Sequence, residues 1–349
     1  YPLGVTQEEN GVHILVQGRA GEVRLLLYRP GEKKPCEEIP FDPKYRMGDV
    51  WELALDRTDF ASFEYNFMID GKIVTDPNAR VITGREKWAD RKRAGKPVRG
   101  RILSEEFDWE DDVNPEIPYA ETILYKLHVR GFTVHASSGV SARGTYAGVV
   151  EKIPYLKELG ITAVELMPVT EFDEIMMSSS GSGFHNAKQE PTGYVNYWGY
   201  GQSETYYCAP KAAYAADPHR AGLEFKDLVR SLHQAGIEVL LDIYFMPGTN
   251  VCLMEDCLRN WVLEYHIDGF RVNQEVMPAQ MLVSDPVLSG VKLLTDYWNR
   301  ELIAGAYGES GTFAEYNEGF MNCARRYLKS DEGQVEGFAG LFRRGSDNL

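Results

Sequence analysis

The feature that most constrains this chain is a change of texture near Glu121. Before it, apolar residues come in short runs of period two. After it, apolar runs alternate with stretches of helical spacing. Residues 12–16, 23–28, 50–55 and 63–69 are bounded by Gly, Pro or charged turns, and Asp70-Gly71 supplies a hairpin turn before Lys72-Ile73-Val74. Short strands spaced by about ten residues predict a small β-sandwich over residues 1–112. A charged, irregular passage, 85–118, reads as the linker.

From residue 113 onward the pattern is different. Strands are predicted at 122–129, 161–167, 237–244, 268–273 and 291–296. Between them lie helical patterns at 149–159, closed by Gly160, at 225–235, closed by Gly236, and at 252–266. Such alternation implies a parallel sheet with right-handed crossovers. Residues 178–189, rich in Ser and Gly, read as a mobile loop.

Charge narrows the function. Lys and Arg number 37 against 52 Asp and Glu, a formal charge of −15. Phosphate neutralisation needs a basic footprint, so nucleic acid and anionic membrane surfaces are disfavoured, and neutral or cationic ligands remain. No apolar run approaches the roughly 18 to 20 residues that span a bilayer. The opening Tyr1-Pro2-Leu3-Gly4 lacks a secretion signal, although a trimmed start would hide one. The five cysteines are scattered, and Cys252/Cys257 has no second pair to complete a zinc site. No metal or cofactor is expected, and a reducing cytoplasm fits.

Several stretches resemble a known family. Leu127-His128-Val129-Arg130-Gly131-Phe132-Thr133, Gly144-Thr145-Tyr146-Ala147-Gly148, Glu171-Phe172-Asp173-Glu174, Asn196-Tyr197-Trp198-Gly199-Tyr200 and Asp268-Gly269-Phe270-Arg271-Val272 are similar to motifs of the alpha-amylase superfamily of glycoside hydrolases. The likeness is to its glycogen-debranching, isoamylase and pullulanase branch. Asp76-Pro77-Asn78-Ala79-Arg80 and the N-terminal residues resemble the carbohydrate-binding β-sandwich that precedes the barrel in those enzymes. The resemblance is collinear over nearly the whole chain. It implies a (β/α)8-type TIM barrel after the sandwich, with chemistry at the C-terminal ends of the strands. About six of the eight strands are expected here, because the chain ends before the seventh; a second copy could complete the open barrel.

The resemblance also assigns slots, and this chain departs from several. The family's nucleophile slot, Arg, one residue, Asp, reads Arg271-Val272-Asn273. Period two puts Arg271 and Asn273 on one face, so the frame is kept and the carboxylate is gone. The amide marks a decayed site, or an inactivation that traps substrate, or a site bypassed by a nearby carboxylate such as Glu275. In the acid slot Asp296 stands for the family's Glu, a retraction of about 1.5 Å, and a shift of about 1 Å can cost roughly a hundredfold. Asp242 survives in the third-strand motif, but the Asn and His that follow in the family are Met246 and Pro247. The long excursion that relatives carry after that motif is reduced to a few residues. The His-Asp pair of the last motif has no counterpart. Trp198 and Tyr200 match the aromatic platform on which the family stacks sugar. Trp51 is expected in the sandwich core; Trp88 fits either core or glucan.

Three functions fit these residues. The favoured one is a degenerate debranching homologue that binds α-glucan (glycogen, starch or malto-oligosaccharide) without efficient hydrolysis. The second is an active retaining α-glucan hydrolase with Asp296 as acid and Glu275 as substitute nucleophile. The third is a structural relic or assembly partner that binds no sugar.

Overall fold

The structure is a computed structural model that describes residues 2–102, 106–177, 191–201, 204–299, 301 and 312–343; the whole of the loop expected at 178–189 lies outside them. The N-terminal region is a β-sandwich. One antiparallel sheet holds Gly4–Glu8, Gly11–Gln17 and Val50–Leu55. The other, six-stranded, is built on Val23–Tyr28 and Glu64–Ile69 and takes in Val81–Thr83 and Arg99–Arg101. Period two turns Val12, Ile14 and Val16 of the first sheet toward Leu25, Leu27, Tyr65 and Phe67 of the second. Trp51 is buried among them, as core.

The second region is a curved parallel sheet. Its six strands run in chain order: Leu124–Leu127, Ala163–Leu166, Glu238–Ile243, Gly269–Val272, Lys292–Thr295 and Phe313–Glu315. We number them here as the first to sixth barrel strands. Alternation sorts their side chains. Val164, Leu166, Val239, Leu241, Phe270, Val272 and Leu293 face the helices, and Ala163, Leu240 and Leu294 face the barrel interior with Leu124 and Ala314. The helix Ala221–Gln234 buries Phe225, Leu228, Val229 and Leu232 at spacings of three and four, and ends at Gly236, whose φ of +69° suits the left-handed stop. The helix Val251–Tyr265 starts where Asn250 accepts from the Cys252 N–H and packs Leu258 and Trp261 on the same layer.

Three expectations shift. The first strand is shorter than predicted, because His128 caps the short helix Val129–Thr133. The helix expected at 149–159 is two, Tyr146–Val150 and Ile153–Glu158, the second with Pro154 in its first turn. The charged passage before Pro118 is strapped down: Asp112 accepts from His233 Nδ1 (3.0 Å) and His266 Nδ1 (2.6 Å), His233 Nε2 meets Asp268 (2.9 Å), and Trp109 stacks on His266 at 3.8 Å. Burial opposes charge on His233, but Asp268 and Asp112 outweigh it and raise its pKa.

The sandwich side also reaches over the barrel. Arg85 pairs with Asp173 at 3.1 Å, and Trp88 stacks on Tyr214 at 5.6 Å with Tyr197 and Phe172 against its edges. Trp88 thus packs as core against the aromatic residues of the barrel region. At the open side of the sheet, Tyr119 donates to the Thr312 carbonyl at 3.0 Å, so the segment before the first strand bridges to the sixth.

Candidate active-site cleft at the barrel mouth

Lys126, Glu165, Asp242 and Arg271 stand near the C-terminal ends of the first four strands, and the registers pair Lys126 with Glu165 and Asp242 with Arg271. All four point inward, one step above the apolar layer. Lys126 Nζ lies 2.7 Å from Glu165 and 2.5 Å from Asp242. Arg271 reaches Asp242 at 3.5 Å and grips Asp296 by both oxygens, at 3.0 and 2.9 Å. Tyr200 donates to Asp242, and Tyr316, just past the sixth strand, donates to Glu165. Two cations thus answer three carboxylates. Burial works against charge on Arg271 and Lys126, yet their carboxylate partners outweigh it and both pKa values are raised. Burial, then Asp242, pushes Tyr200 up; burial, then Glu165, does the same to Tyr316. Both stay protonated donors. Over this network lies a cleft of about 250 Å³ lined by Lys126, Arg271, Asp296, Tyr316, Asn317, Glu318 and Met321.

Asn273 lies just past the end of the fourth strand, buried. Its Oδ1 accepts from the Phe245 N–H and its Nδ2 donates to the Phe245 carbonyl, both at 2.9 Å. A side-chain amide thereby extends the ladder between strands three and four by one step. A carboxylate could accept there but has no proton to donate. The short connection 244–250 that begins at this point is fixed further on: Tyr207 OH accepts from the Met246 N–H at 3.0 Å, and Asn250 reaches Gln17 of the sandwich at 2.7 Å. Glu275 is exposed in the turn after Asn273.

The rim near the first strand is of another kind. Trp198 is 53% exposed and stands edge-on over His128 at 5.4 Å. The turn that carries it is tight. Asn196 bonds both the Gly199 N–H (3.1 Å) and the Tyr200 carbonyl (2.9 Å). Gly199 has φ +82°, and a Cβ there would meet Phe172 and Pro168 at 2.8 Å, so only glycine fits.

Sequence reasoning singled out Asn273, Asp296, Arg271, Asp242, Tyr200 and Trp198. Arg271, Asp296, Asp242 and Tyr200 come together in one network; Asn273 turns instead to the third strand's backbone, and Trp198 stands apart on the rim. Lys126, Glu165 and Tyr316 were missed. The signal for Lys126 and Glu165 was a charged residue one place before the end of two otherwise apolar strands, at matching registers. Among the described residues no group of His, Cys, Asp or Glu is arranged to hold a metal ion, and the five cysteines are free.

No family model matches the chain. Isoamylase 1, chloroplastic, of Arabidopsis thaliana is 30% identical over 460 aligned positions, covering 100% of this chain and 57% of that protein. The glycogen operon protein GlgX homologue of Haemophilus influenzae is 30% identical over 99% of this chain and 62% of its own length. The chain spans little more than half the length of these curated relatives. The first alignment is also longer than the chain's 349 residues, so the relative carries internal segments absent here. Among solved structures, apo pullulanase from Paenibacillus barengoltzii superposes with a TM-score of 0.70 at 19% identity, over 92% of this chain and 57% of that one. Type I pullulanase from Bacillus subtilis with maltose gives 0.70 at 19%, over 93% and 52%. With the fold matched to the pullulanases and the whole chain aligned with just over half of isoamylase, the chain is similar along its length to the debranching branch of the alpha-amylase superfamily of glycoside hydrolases.

Proposed function

We propose that this chain holds α-glucan at the barrel mouth and does not hydrolyse it efficiently. The observation that carries this reading is the double hydrogen bond of Asn273 to Phe245. Retaining hydrolysis needs a carboxylate that attacks the sugar and a second carboxyl that protonates the leaving oxygen. The residue in the first position is an amide whose polar atoms are both spent on the backbone. The residue in the second, Asp296, has both oxygens on Arg271. Pro247 offers no side-chain hydrogen bond to a sugar hydroxyl, and Met246 offers only a weakly accepting sulfur.

Binding is supported separately. Trp198 offers a half-exposed ring of the kind that stacks on pyranose faces. Related pullulanases have been solved with maltose, and with maltohexaose and alpha-cyclodextrin. The net charge of −15 favours a neutral ligand over an anionic one.

The test pairs two measurements on the intact protein. Calorimetric titration with maltoheptaose is expected to show saturable heat, and prolonged incubation with glycogen or pullulan is expected to release no reducing ends. A flat titration removes the binding half. Turnover that disappears in Glu275→Ala would instead establish the second, hydrolytic reading.

A further inference from the structure

The rim turn that presents Trp198 is held from below by one imidazole. His128 Nδ1 accepts from the Gly131 N–H at 2.8 Å, as the cap of the helix Val129–Thr133. In a neutral ring the proton then sits on Nε2. That nitrogen lies 3.0 Å from the Tyr197 carbonyl and 2.9 Å from the Tyr214 hydroxyl. The Tyr197 carbonyl belongs to the peptide that leads into Trp198. The ring is also a packing surface: Tyr197 stacks on it at 5.0 Å and 24°, and Trp198 meets it at 83°. Behind it, Trp88 stacks on Tyr214. His128 is 5% exposed and Trp198 53%, so the base is buried and the ring it carries is open.

We propose that His128 is a positioning residue for glucan: by capping Gly131 with one nitrogen and holding the Tyr197 carbonyl with the other, it fixes the plane and outward face of Trp198. This rests on the reading that Trp198 receives the sugar. Both ring nitrogens are needed. An asparagine at 128 can still cap the Gly131 N–H, but its single short amide does not span to Tyr197. A pre-set ring spares the ligand the entropy of ordering the turn. Burial, with Arg130 and Lys211 nearby, brings the His128 pKa down to about 4, so near neutrality the ring keeps the uncharged form that this bonding requires.

The experiment compares wild type, His128→Asn and Trp198→Ala by maltoheptaose titration, read by calorimetry and by the part of the tryptophan fluorescence change that Trp198→Ala abolishes. The Asn variant is expected to keep its thermal midpoint within about 4 °C, to bind about five- to tenfold more weakly, as when one aromatic contact is partly lost, and to show a diminished Trp198 signal. Wild-type affinity with an undiminished signal in His128→Asn overturns the proposal while leaving glucan binding intact. A wild type that binds no maltoheptaose, or that binds as well as Trp198→Ala, overturns the reading beneath it. Nitrogen NMR of the His128 ring in the wild-type protein tests the same claim without a variant: the Nε2–H tautomer is expected, and the Nδ1–H tautomer refutes it.

Discussion

Two corners of one barrel mouth have been treated differently. Where strands three to five end, Asn273, Asp296 and Asp242 each have a protein partner: Asn273 on Phe245, Asp296 on Arg271, Asp242 on Lys126 and Tyr200. Near the end of strand one, a tryptophan stands half in solvent on a buried aromatic base. Both corners sit on the same rigid sheet, so the fold alone does not decide which of them works. Reaction chemistry requires groups left poised and unsatisfied until substrate arrives, whereas stacking requires only a fixed, open ring face. On the function proposed above, the first requirement is unmet at the closed corner and the second is met at Trp198.

The largest way to break this comparison is to unbalance the closed corner. Arg271→Ala leaves Asp242 with Lys126 as its cationic partner and frees Asp296 into the cleft. Removing one member of a buried ion pair costs about 3 to 5 kcal/mol, and a urea unfolding curve is expected to show a loss near the lower end, because Asp296 is largely exposed. A loss under about 1 kcal/mol would mean that the network is ornamental. Next in size is Asn273→Asp, the change that restores the carboxylate in the family's slot. It removes the donor to the Phe245 carbonyl and buries an extra charge, at a cost of about 2 kcal/mol. Reducing-end assays on the variant are expected to stay at background, since Asp296, Met246 and Pro247 are unchanged. Hydrolysis gained by this single exchange would show that the closed corner is one substitution from working.

These expectations separate what could be read from the chain and what could not. The sandwich and the first five parallel strands with their intervening helices followed from the apolar runs and from Gly160 and Gly236 closing two of the helices, because local patterning and turn chemistry fix those features. Arg271, Asp242 and Tyr200 were legible through their motif neighbours. The turn of Asn273 toward Phe245 was not. Alternation predicts a common face with Arg271, but the strand stops at Val272 and a backbone left unpaired by the short 244–250 connection captures the amide. The meeting of Lys126 and Tyr316 was equally hidden. They come from the first strand and from just past the sixth, and only the curvature of the open sheet brings them together over one cleft. The second role of His128 depends on a carbonyl 69 residues away. Such contacts are set by tertiary geometry, which periodicity does not encode.

The open corner can be sharpened by pH. Burial first, then Arg130 and Lys211, lower the folded-state pKa of His128 to about 4 from an ordinary 6.5. A depressed histidine contributes stability that is fully present above its unfolded value and is lost as pH falls from 6.5 through about 4. Other groups titrate in the same window, so the informative quantity is a difference: the fall in unfolding free energy between pH 7 and 4 should be smaller in His128→Asn than in wild type. An equal or steeper fall in the variant would mean that burial does not hold the imidazole neutral.

The smallest effect on stability, and the sharpest on function, is expected from Trp198→Ala. The side chain is half in water, and the Asn196 bonds and Gly199 hold the turn without it, so the unfolding free energy should move by no more than about 0.5 kcal/mol. Maltoheptaose affinity should fall about tenfold, the value of one stacked ring of about 1.4 kcal/mol. The contrast with Arg271→Ala is the point of the measurement. If the two corners are separable, one variant loses stability with its ligand affinity intact, and the other loses ligand with its stability intact. A Trp198→Ala protein that unfolds as readily as Arg271→Ala would place the ring in the structural core of the mouth and remove the distinction between the corners.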